Sequence, residues 1–419
     1  MATTRNFQDM LNEYTPNTLL MEEMIKRDWF LSNIDIDNGW KGGKLIVPFK
    51  GAGASTVEFG QLAASTDISQ STYVRGHIDD YVEVWGSMIL NHRDLMDHSG
   101  KIPETTFLKI IPGELDMLMD YFKQVVSTQL GSGSHFATFT ANGTAGGKIE
   151  VDHIDRFSLS QNLTIDDGNS AALDVYVIGI DINPSSPAAG TTGAITVSAT
   201  RGGAAADVSA YTVAQGAKCY HPGVLSNGAF TSVRSALLSS ANGGSSTIHG
   251  VTKTSYPITQ AVNIDGSGWT ASNILDSIFD GYTTVRQRAK GNANTVVMSY
   301  KHLGSVMKKL EAQKGPFVVT KQPNASIYGW TEIEITSVKG TLKLVGILEM
   351  DDDVVFYLDL STMKFRTNGG FRKRQAPDGR EYFEIRNTTG YAYVVDCCLF
   401  GELEHNKPGH NAIVYGISY

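Results

Sequence analysis

The sequence is poor in cysteine and in long apolar runs. Its 419 residues include three cysteines, Cys219 and the adjacent Cys397 and Cys398, which form neither a disulfide framework nor a spaced set of metal ligands. We expect them to be small buried side chains in a reducing compartment. The first residues lack the apolar core of a secretory signal, and no apolar run is as long as a membrane span. We therefore expect a protein made in the cytosol, with no membrane partner.

Charge is also scarce. Charged residues make up 19% of the chain, and the formal net charge is -8. A dedicated nucleic-acid binder needs a basic excess to neutralise phosphates, so this balance argues mildly against that class and leaves local basic patches open. Glycine is abundant, at 43 residues. The length and the many turns predict an α+β or β-rich protein of two or three domains.

The motifs of catalysis and of metal or nucleotide binding are missing or incomplete. Residues 143–149 resemble a phosphate-binding loop but are one residue short and lack the metal-binding hydroxyl. His405 and His410 are separated by Pro408, which excludes a shared helical metal face. The aspartate run 351–353 predicts a charged turn, because consecutive carboxylates point in different directions. We expect no catalytic residue, no cofactor and no metal site.

The clearest helical pattern in the first half of the chain covers residues 112–131. Apolar residues recur there at three- and four-residue steps, which lines one face of a helix of about five turns. They are Leu115, Leu118, Met119, Phe122, Val125 and Val126. Gly131 stands where a left-handed C-terminal cap would sit. Since strand-like segments flank it, this helix is predicted to pack across a sheet.

Two segments before the helix have too little core to fold alone. Residues 1–42 carry one short amphipathic segment followed by Trp29 and Phe30, and they are predicted to form an extended arm. Residues 43–99 alternate in apolar character on both sides of a polar tip, which predicts a long hairpin that includes Phe59 and Tyr73. We expect the arm and the hairpin to pack on neighbouring subunits.

The rest of the chain falls into three further regions. Residues 143–223 alternate strand-like pieces with turns rich in Ser, Thr, Ala and Gly, which predicts a small inserted β-sandwich or barrel, with a surface excursion as the alternative. Residues 224–345 are mixed, with two helices and a buried strand between them. Residues 346–419 are mostly strands.

One basic cluster stands out near the C-terminus. It consists of Lys364, Arg366, Arg372, Lys373, Arg374 and Arg380. The glycines at 369 and 370 predict a loop over residues 364–380. Three roles are open for it: a solvated surface, a set of salt bridges to acidic patches on other copies of the chain, or contact with packaged nucleic acid.

The order of these parts resembles the major capsid proteins of tailed bacteriophages with the HK97-type fold. The C-terminal sequence adds to the resemblance through residues 364–370, 375–383, 400–410 and 414–417, which are similar to the close of podovirus-like capsid proteins. The similarity covers nearly the whole chain. It is a similarity of architecture, and no single motif is diagnostic.

The resemblance implies a division of the chain. It implies an N-terminal arm (1–42), an E-loop (43–99), a peripheral domain (100–142) with its spine helix (112–131), an inserted β-rich domain (143–223), a mainly axial domain (224–345), and strands returning to the peripheral domain (346–419). The basic loop at 364–380 would lie where peripheral domains meet. Intersubunit contacts would then involve the six basic residues together with Trp29, Phe30, Phe59 and Tyr73.

The resemblance also implies partners. These are copies of the chain in hexamers and pentamers, a separate scaffolding protein, a portal protein, double-stranded DNA bound non-specifically inside, and a cement or decoration protein on the inserted domain. The location would be the virion head, with assembly in the host cytoplasm. No lysine lies between Lys50 and Lys101, so no isopeptide crosslink from the E-loop is expected. An encapsulin-type cellular shell and, more remotely, a β-rich glycan-binding protein or hydrolase are the alternatives.

Overall fold

The computed structural model describes residues 8, 11–12, 15–41, 43–52, 72–91, 104–133, 135–143, 148–166, 172–185, 187–205, 214–289, 291–313, 330–337, 340–387 and 390–418. The chain divides into two compact units. The first comprises Met1–Lys123 and Arg234–Tyr419, and the second comprises Gln124–Val233. The mixed content of helices and strands confirms an α+β protein. The domain boundaries that the resemblance implies remain a prediction.

Seven α-helices fall within the described residues. They are α1 (Asn17–Arg27), α2 (Trp29–Asn33), α3 (Glu104–Gly131), α4 (Val224–Asn227), α5 (Val233–Leu237), α6 (Ile274–Arg288) and α7 (Tyr300–Gln313). None of the described helices is long and apolar enough to cross a membrane.

The described strands number twenty-one. They are β1 (Asp35–Asp37), β2 (Leu45–Ala52), β3 (Thr72–Ile78), β4 (Val82–Asn91), β5 (His135–Thr138), β6 (Lys148–Val151), β7 (Asn162–Asp166), β8 (Leu173–Asp181), β9 (Gly193–Ser198), β10 (Lys218–Tyr220), β11 (Thr247–Ile248), β12 (Val251–Thr252), β13 (Val262–Asp265), β14 (Thr295–Ser299), β15 (Trp330–Ser337), β16 (Gly340–Ile347), β17 (Val354–Leu358), β18 (Met363–Lys373), β19 (Phe383–Asn387), β20 (Gly390–His405) and β21 (Ala412–Tyr415).

Helix α3 is longer than the sequence pattern predicts. It begins at Glu104 rather than at Pro112, and it continues through Gly131. The predicted cap at Gly131 is wrong, because the positive φ falls two residues later, at Gly133. Proline favours the first turn of a helix, since its fixed φ suits that position. Here it lies inside the helix.

Helix α3 packs against a five-stranded sheet in the first unit. In this sheet β20 is the central strand, with β4 on one side and both β18 and β19 on the other, while β1 adds in parallel to β18. The ring of Phe122 meets that of Phe371 edge to face at 4.7 Å between centroids. A Cβ at Gly86 would lie 2.4 Å from Phe122, so only glycine lets the helix approach β4 so closely.

The hairpin prediction is partly confirmed. Strands β2 and β3 pair antiparallel over their length, which gives the two legs of the predicted hairpin. The stretch that contains Phe59 lies outside the described residues. Strand β4, which lies in the same predicted hairpin segment, pairs with β20 instead of extending the hairpin.

The first unit contains a second sheet with its own core. Six strands lie in the order β13-β21-β17-β14-β16-β15, and α6 and α7 pack on it through a cluster of buried apolar side chains. Tyr357 is fully buried and donates its hydroxyl to the carbonyl of Ile278, at 2.8 Å. The two predicted helices and the buried strand between them are confirmed here.

The second unit is a small β-barrel with a filled interior. Its strands run β5-β10-β7-β8-β9-β6, and a bridge between Phe139 and Val151 closes the ring. Apolar side chains from all six strands fill the centre. Closure removes the free sheet edges that would otherwise pair with other chains. The sequence predicted either a sandwich or a barrel, and the structure shows a barrel.

Candidate assembly surface

The predicted basic loop is mostly a strand. Met363, Phe365 and Phe371 of β18 point into the core, and this apolar alternation holds the segment against β20. The two glycines have φ of +79° and +70° and form an irregularity between Thr367 and Phe371 within the strand. Glycine was read as a loop signal, but here it accommodates a β-bulge.

Two of the basic residues on β18 face aspartates of the N-terminal arm. The parallel register of β1 and β18 sets Asp35 opposite Lys364 and Asp37 opposite Arg366. Lys364 Nζ lies 2.8 Å from the Asp35 carboxylate, and this hydrogen bond raises the pKa of Lys364. Arg366 contacts Asp37 and also Glu404, whose carboxylate is 2.5 Å from its Nε. Arg366 therefore attaches the arm to its own chain, while the exposed Lys364–Asp35 pair adds little to stability.

Two further cations of the cluster also have intrachain partners. Lys373 is almost fully buried and forms an ion pair with the buried carboxylate of Glu381. Arg380 is half-exposed and lies 2.8 Å from Asp378, its neighbour in the turn. The first contact is part of the core and the second is a local surface pair.

The aromatic residues of the arm are buried within the same chain. Trp29 and Phe30 are each 1% exposed, and Trp29 Nε1 donates to the carboxylate of Glu332 at 3.2 Å. Arg27 reaches Asp116 and Asp120 of α3, each at 2.6 Å. The structure thus gives Trp29 and Phe30 intrachain contacts where intersubunit contacts were expected, because the chain's own sheet and helix supply the apolar surface.

Arg372 and Arg374 lie on the same face of the sheet as Lys364 and Arg366, beyond the bulge and among aromatic rings. The guanidinium of Arg372 lies 5.7 Å from the centre of the Phe400 ring, and that of Arg374 lies 5.4 Å from Trp85 and 5.3 Å from Phe383. Trp85 and Phe400 meet edge to face at 5.3 Å. Stacking of this kind orients the planar guanidinium without neutralising its charge.

The register explains why these side chains converge. Trp85 and Arg372 are both opposite Cys398, so the three form one row across β4, β20 and β18. The next rows place Ser87 opposite Asp396, and Ile89 and Phe383 opposite Val394. Since opposite residues share a face, tryptophan, phenylalanine and arginine collect on one side of the sheet.

This aromatic–arginine face encloses a pocket of about 400 Å³, and its lining includes Trp85, Arg372, Arg374, Cys398 and Phe400. Within the described part of the chain, the nearest carboxylate to Arg374 is that of Asp396, at 3.8 Å. No carboxylate of the described residues lies within 4 Å of Arg372. Arg372 and Arg374 are therefore oriented mainly by the aromatic rings of this face.

Large apolar side chains are exposed around this face and on the hairpin. Trp85 is 44% exposed and Ile89 47%, while Tyr73 on β3 is 65% exposed. Of the predicted contact residues, Tyr73, Arg374 and Arg380 are exposed, and Lys364, Arg366 and Arg372 are partly exposed. Sequence reasoning missed Trp85, Phe383 and Phe400, although the alternation of apolar residues along β4 and β20 was the signal that could have found them.

Several titratable groups are buried without forming a reactive site. Burial lowers the pKa of His249 to about 4 and that of His405 to about 3, and burial raises the pKa of Cys397 to about 12. The backbone N–H of His405 donates to His249 Nε2 at 3.0 Å, which requires a neutral ring there. Among the described residues, no group of three or more potential ligands could hold a metal ion.

These features define a mixed α+β protein. Its N-terminal segment packs on its own chain, two of its strands pair as a hairpin, and one aromatic face of its sheet is exposed. No protein-family model and no curated protein sequence matches the chain. Among solved structures, it is similar to the capsid of cyanophage A-1(L), at 10% identity over 92% of this chain and 91% of that one, with a TM-score of 0.45. Phage capsid proteins are thus among the proteins it is similar to.

Two further solved structures are similar to the chain. The encapsulin of a holo-SrpI complex from Synechococcus elongatus has 8% identity, covers all of this chain and 93% of its own, and has a TM-score of 0.41. The phage G structure, which contains major capsid and decoration proteins, has 9% identity over 92% of this chain and 88% of that one, with a TM-score of 0.36.

Proposed function

We propose that this chain is a shell-forming structural protein, the major capsid protein of a tailed bacteriophage. It would assemble into hexamers and pentamers of an icosahedral head that encloses double-stranded DNA. The resemblance in the order of parts supports this proposal. A scaffolding protein, a portal protein and a decoration protein on the barrel are the further partners that this function implies.

One observation in the structure carries the proposal. The hairpin strands and the five-stranded sheet expose large apolar and aromatic side chains. They are Ile46, Tyr73, Trp85, Ile89, Ile385 and Tyr391, each between 39% and 65% exposed. Trp85, Ile89 and Ile385 share one face of the sheet, and an exposed apolar patch on one face is typical of an interaction site. Burial between many copies accounts for them, because weak contacts multiply in a closed assembly.

The proposed role is non-enzymatic. The buried cysteines have raised thiol pKa values, which makes them poor nucleophiles at neutral pH. Burial lowers the pKa of His249 and His405 and keeps both rings neutral at neutral pH. These features fit a subunit whose work is assembly.

Electron microscopy of the protein purified after expression alone and with a scaffolding protein tests this function. Closed shells or capsomer-sized rings are the expected result. A monodisperse monomer in both preparations would overturn the proposal. Nuclease-protected DNA in particles from infected or induced cells separates a phage head from a cellular compartment, because a compartment of the encapsulin type encloses protein instead.

A further inference from the structure

We propose that the turn between β11 and β12 is an acid-sensitive clasp. While its ring is neutral, His249 of this turn holds the β2–β3 hairpin to the end of strand β20, and protonation of the ring releases the hairpin. The inference goes beyond the proposed function and does not depend on it, because every group involved belongs to one chain.

His249 contacts two different sheets. Its main-chain carbonyl accepts the backbone N–H of His77 on β3, at 2.8 Å. Its ring Nε2 accepts the backbone N–H of His405 on β20, at 3.0 Å. Strand β4 pairs with β20 only as far as Gly401, so β4 offers no acceptor to His405. One residue therefore satisfies an edge amide of each sheet.

The turn is tightly enclosed. His249 has a φ of +46°, in the left-handed region that few residues with a side chain adopt. Its ring stacks on that of Phe49 of β2, with 6.3 Å between the centroids. A Cβ at Gly76 of β3 would lie 2.9 Å from the His249 carbonyl oxygen. A conformation of this kind persists only while the contacts around it hold it, so we expect the loss of one contact to loosen the others.

Protonation removes the contact with β20. Both nitrogens of an imidazolium ring are donors, so a protonated His249 would point an N–H at the N–H of His405. The His405 ring is fully buried, and neither of its nitrogens has a hydrogen-bond partner among the described residues. Within the described part of the chain, no carboxylate lies within 4 Å of either ring. A positive charge at the clasp is therefore not balanced by a close anion.

The groups around the two rings also disfavour a proton. His77 lies on the β3 side, and its carboxylate neighbour Asp79, at 3.5 Å, is 75% exposed and screened by water. Lys253, just after β12, is 5% exposed and donates to two main-chain carbonyls. Burial and then the charge of His77 lower the pKa of His249 to about 4. Burial and then His249 and Lys253 lower the pKa of His405 to about 3. The open turn therefore binds a proton more tightly than the closed turn, and acid favours opening.

Hydrogen–deuterium exchange of the full chain, read by mass spectrometry at pH 7 and pH 5, tests the clasp. Protection factors, which correct for the pH dependence of exchange itself, are measured for peptides that contain β3 or the end of β20. A peptide that contains β14, whose residues are all buried, serves as the reference. His249→Gln keeps a neutral acceptor and cannot be protonated. His302→Gln is the matched control, because it removes a different buried histidine whose pKa is also lowered by burial.

Between pH 7 and pH 5 the wild type is expected to lose about tenfold or more of its protection in the β3 and β20 peptides, because the ring titrates at a higher pH in the open turn than in the closed turn. At pH 5 these peptides are expected to be less protected than β14, since the clasp opens without unfolding of the second sheet. His249→Gln should reduce the loss about tenfold, and His302→Gln should leave it unchanged.

An equal loss in the wild type and in His249→Gln overturns the inference. Equal protection of the clasp peptides and β14 also overturns it, as does a loss that His302→Gln reduces as much as His249→Gln, because exchange would then follow unfolding of the whole unit. If thermal unfolding shows that His249→Gln does not fold, His249→Asn takes its place, since asparagine tolerates a positive φ and does not titrate. The same reduction of the loss is expected for it. The measurement needs no assembled shell, so the inference and the proposed function fail separately.

Discussion

Strand β18 and the residue after it carry two pairs of cations that look alike in sequence and differ in what they contact. Lys364 and Arg366 face aspartates of the arm, whereas Arg372 and Arg374 lie over aromatic rings. The bulge at the two glycines separates the pairs. The difference shows that basic residues close in sequence can have different surroundings, since Arg366 is bound by carboxylates of its own chain and Arg372 and Arg374 lie among aromatic rings.

The largest effect is expected at the buried member of the cluster. Lys373→Met leaves the Glu381 carboxylate buried without its cation, which should lower the free energy of unfolding by about 3–5 kcal/mol. Chemical denaturation of the dissociated subunit measures this. The double variant Lys373→Met with Glu381→Leu should recover most of the loss, because both charges are then gone. Equal losses in the single and double variants would mean that the pair is not the source of the effect.

A smaller loss is expected at the arm. Arg366→Met removes the partner of both Asp37 and the buried Glu404, which should cost about 1–3 kcal/mol. Proteolysis should also cleave the arm faster, since its contact with β18 is weakened. Lys364→Gln is the matched comparison, and its exposed pair should change neither stability nor cleavage measurably. An arm as resistant to proteolysis in Arg366→Met as in the wild type would contradict its attachment through this residue.

Two buried histidines, unlike the paired cations, are kept neutral in the folded chain. His249 and His405 have folded-state pKa values of about 4 and about 3, below the usual value of about 6.5 in an unfolded chain. Their contribution to stability is complete above pH 6.5 and is lost as pH falls toward 4, because the unfolded chain then binds protons that the folded chain does not. The slope approaches about 1.4 kcal/mol per pH unit for each histidine. Unfolding free energies that stay flat from pH 7 to pH 5 would contradict the burial of these rings.

The smallest effect on stability is expected at Arg374. Arg374→Gln should change the unfolding free energy by less than about 0.5 kcal/mol, because its side chain is exposed and its contact with the Asp396 carboxylate is long, at 3.8 Å. Differential scanning calorimetry of the dissociated subunit measures it. A loss as large as that of Arg366→Met would place Arg374 among the residues that hold the subunit together.

Much of the fold could be predicted from the sequence where apolar residues recur at a regular spacing. The helices α6 and α7 and the strand β14 between them were predicted from the spacing of apolar residues. The early start of α3 was not predicted, because proline favours the first turn of a helix and Pro112 lies inside α3. The bulge in β18 was hidden for the same reason, since two glycines indicate a loop unless a neighbouring strand holds them.

The candidate surface was predictable only in part. The basic residues were found by their charge. Which of them contact carboxylates and which contact aromatic rings depends on which strands pair. The register that brings Trp85 of β4 beside Arg372 of β18 passes through β20, more than 300 residues from β4 along the chain. The burial of Trp29 is likewise a long-range effect, since its partner Glu332 belongs to β15.

The most direct test of the account is a cryo-electron microscopy map of the assembled protein at side-chain resolution. The account predicts a closed shell in which neighbouring copies cover the exposed side chains of the hairpin and of the aromatic–arginine face, while Lys364 and Arg366 keep Asp35 and Asp37 as partners. A shell in which the aromatic–arginine face is open to solvent, with the neighbouring copies joined elsewhere, would contradict it.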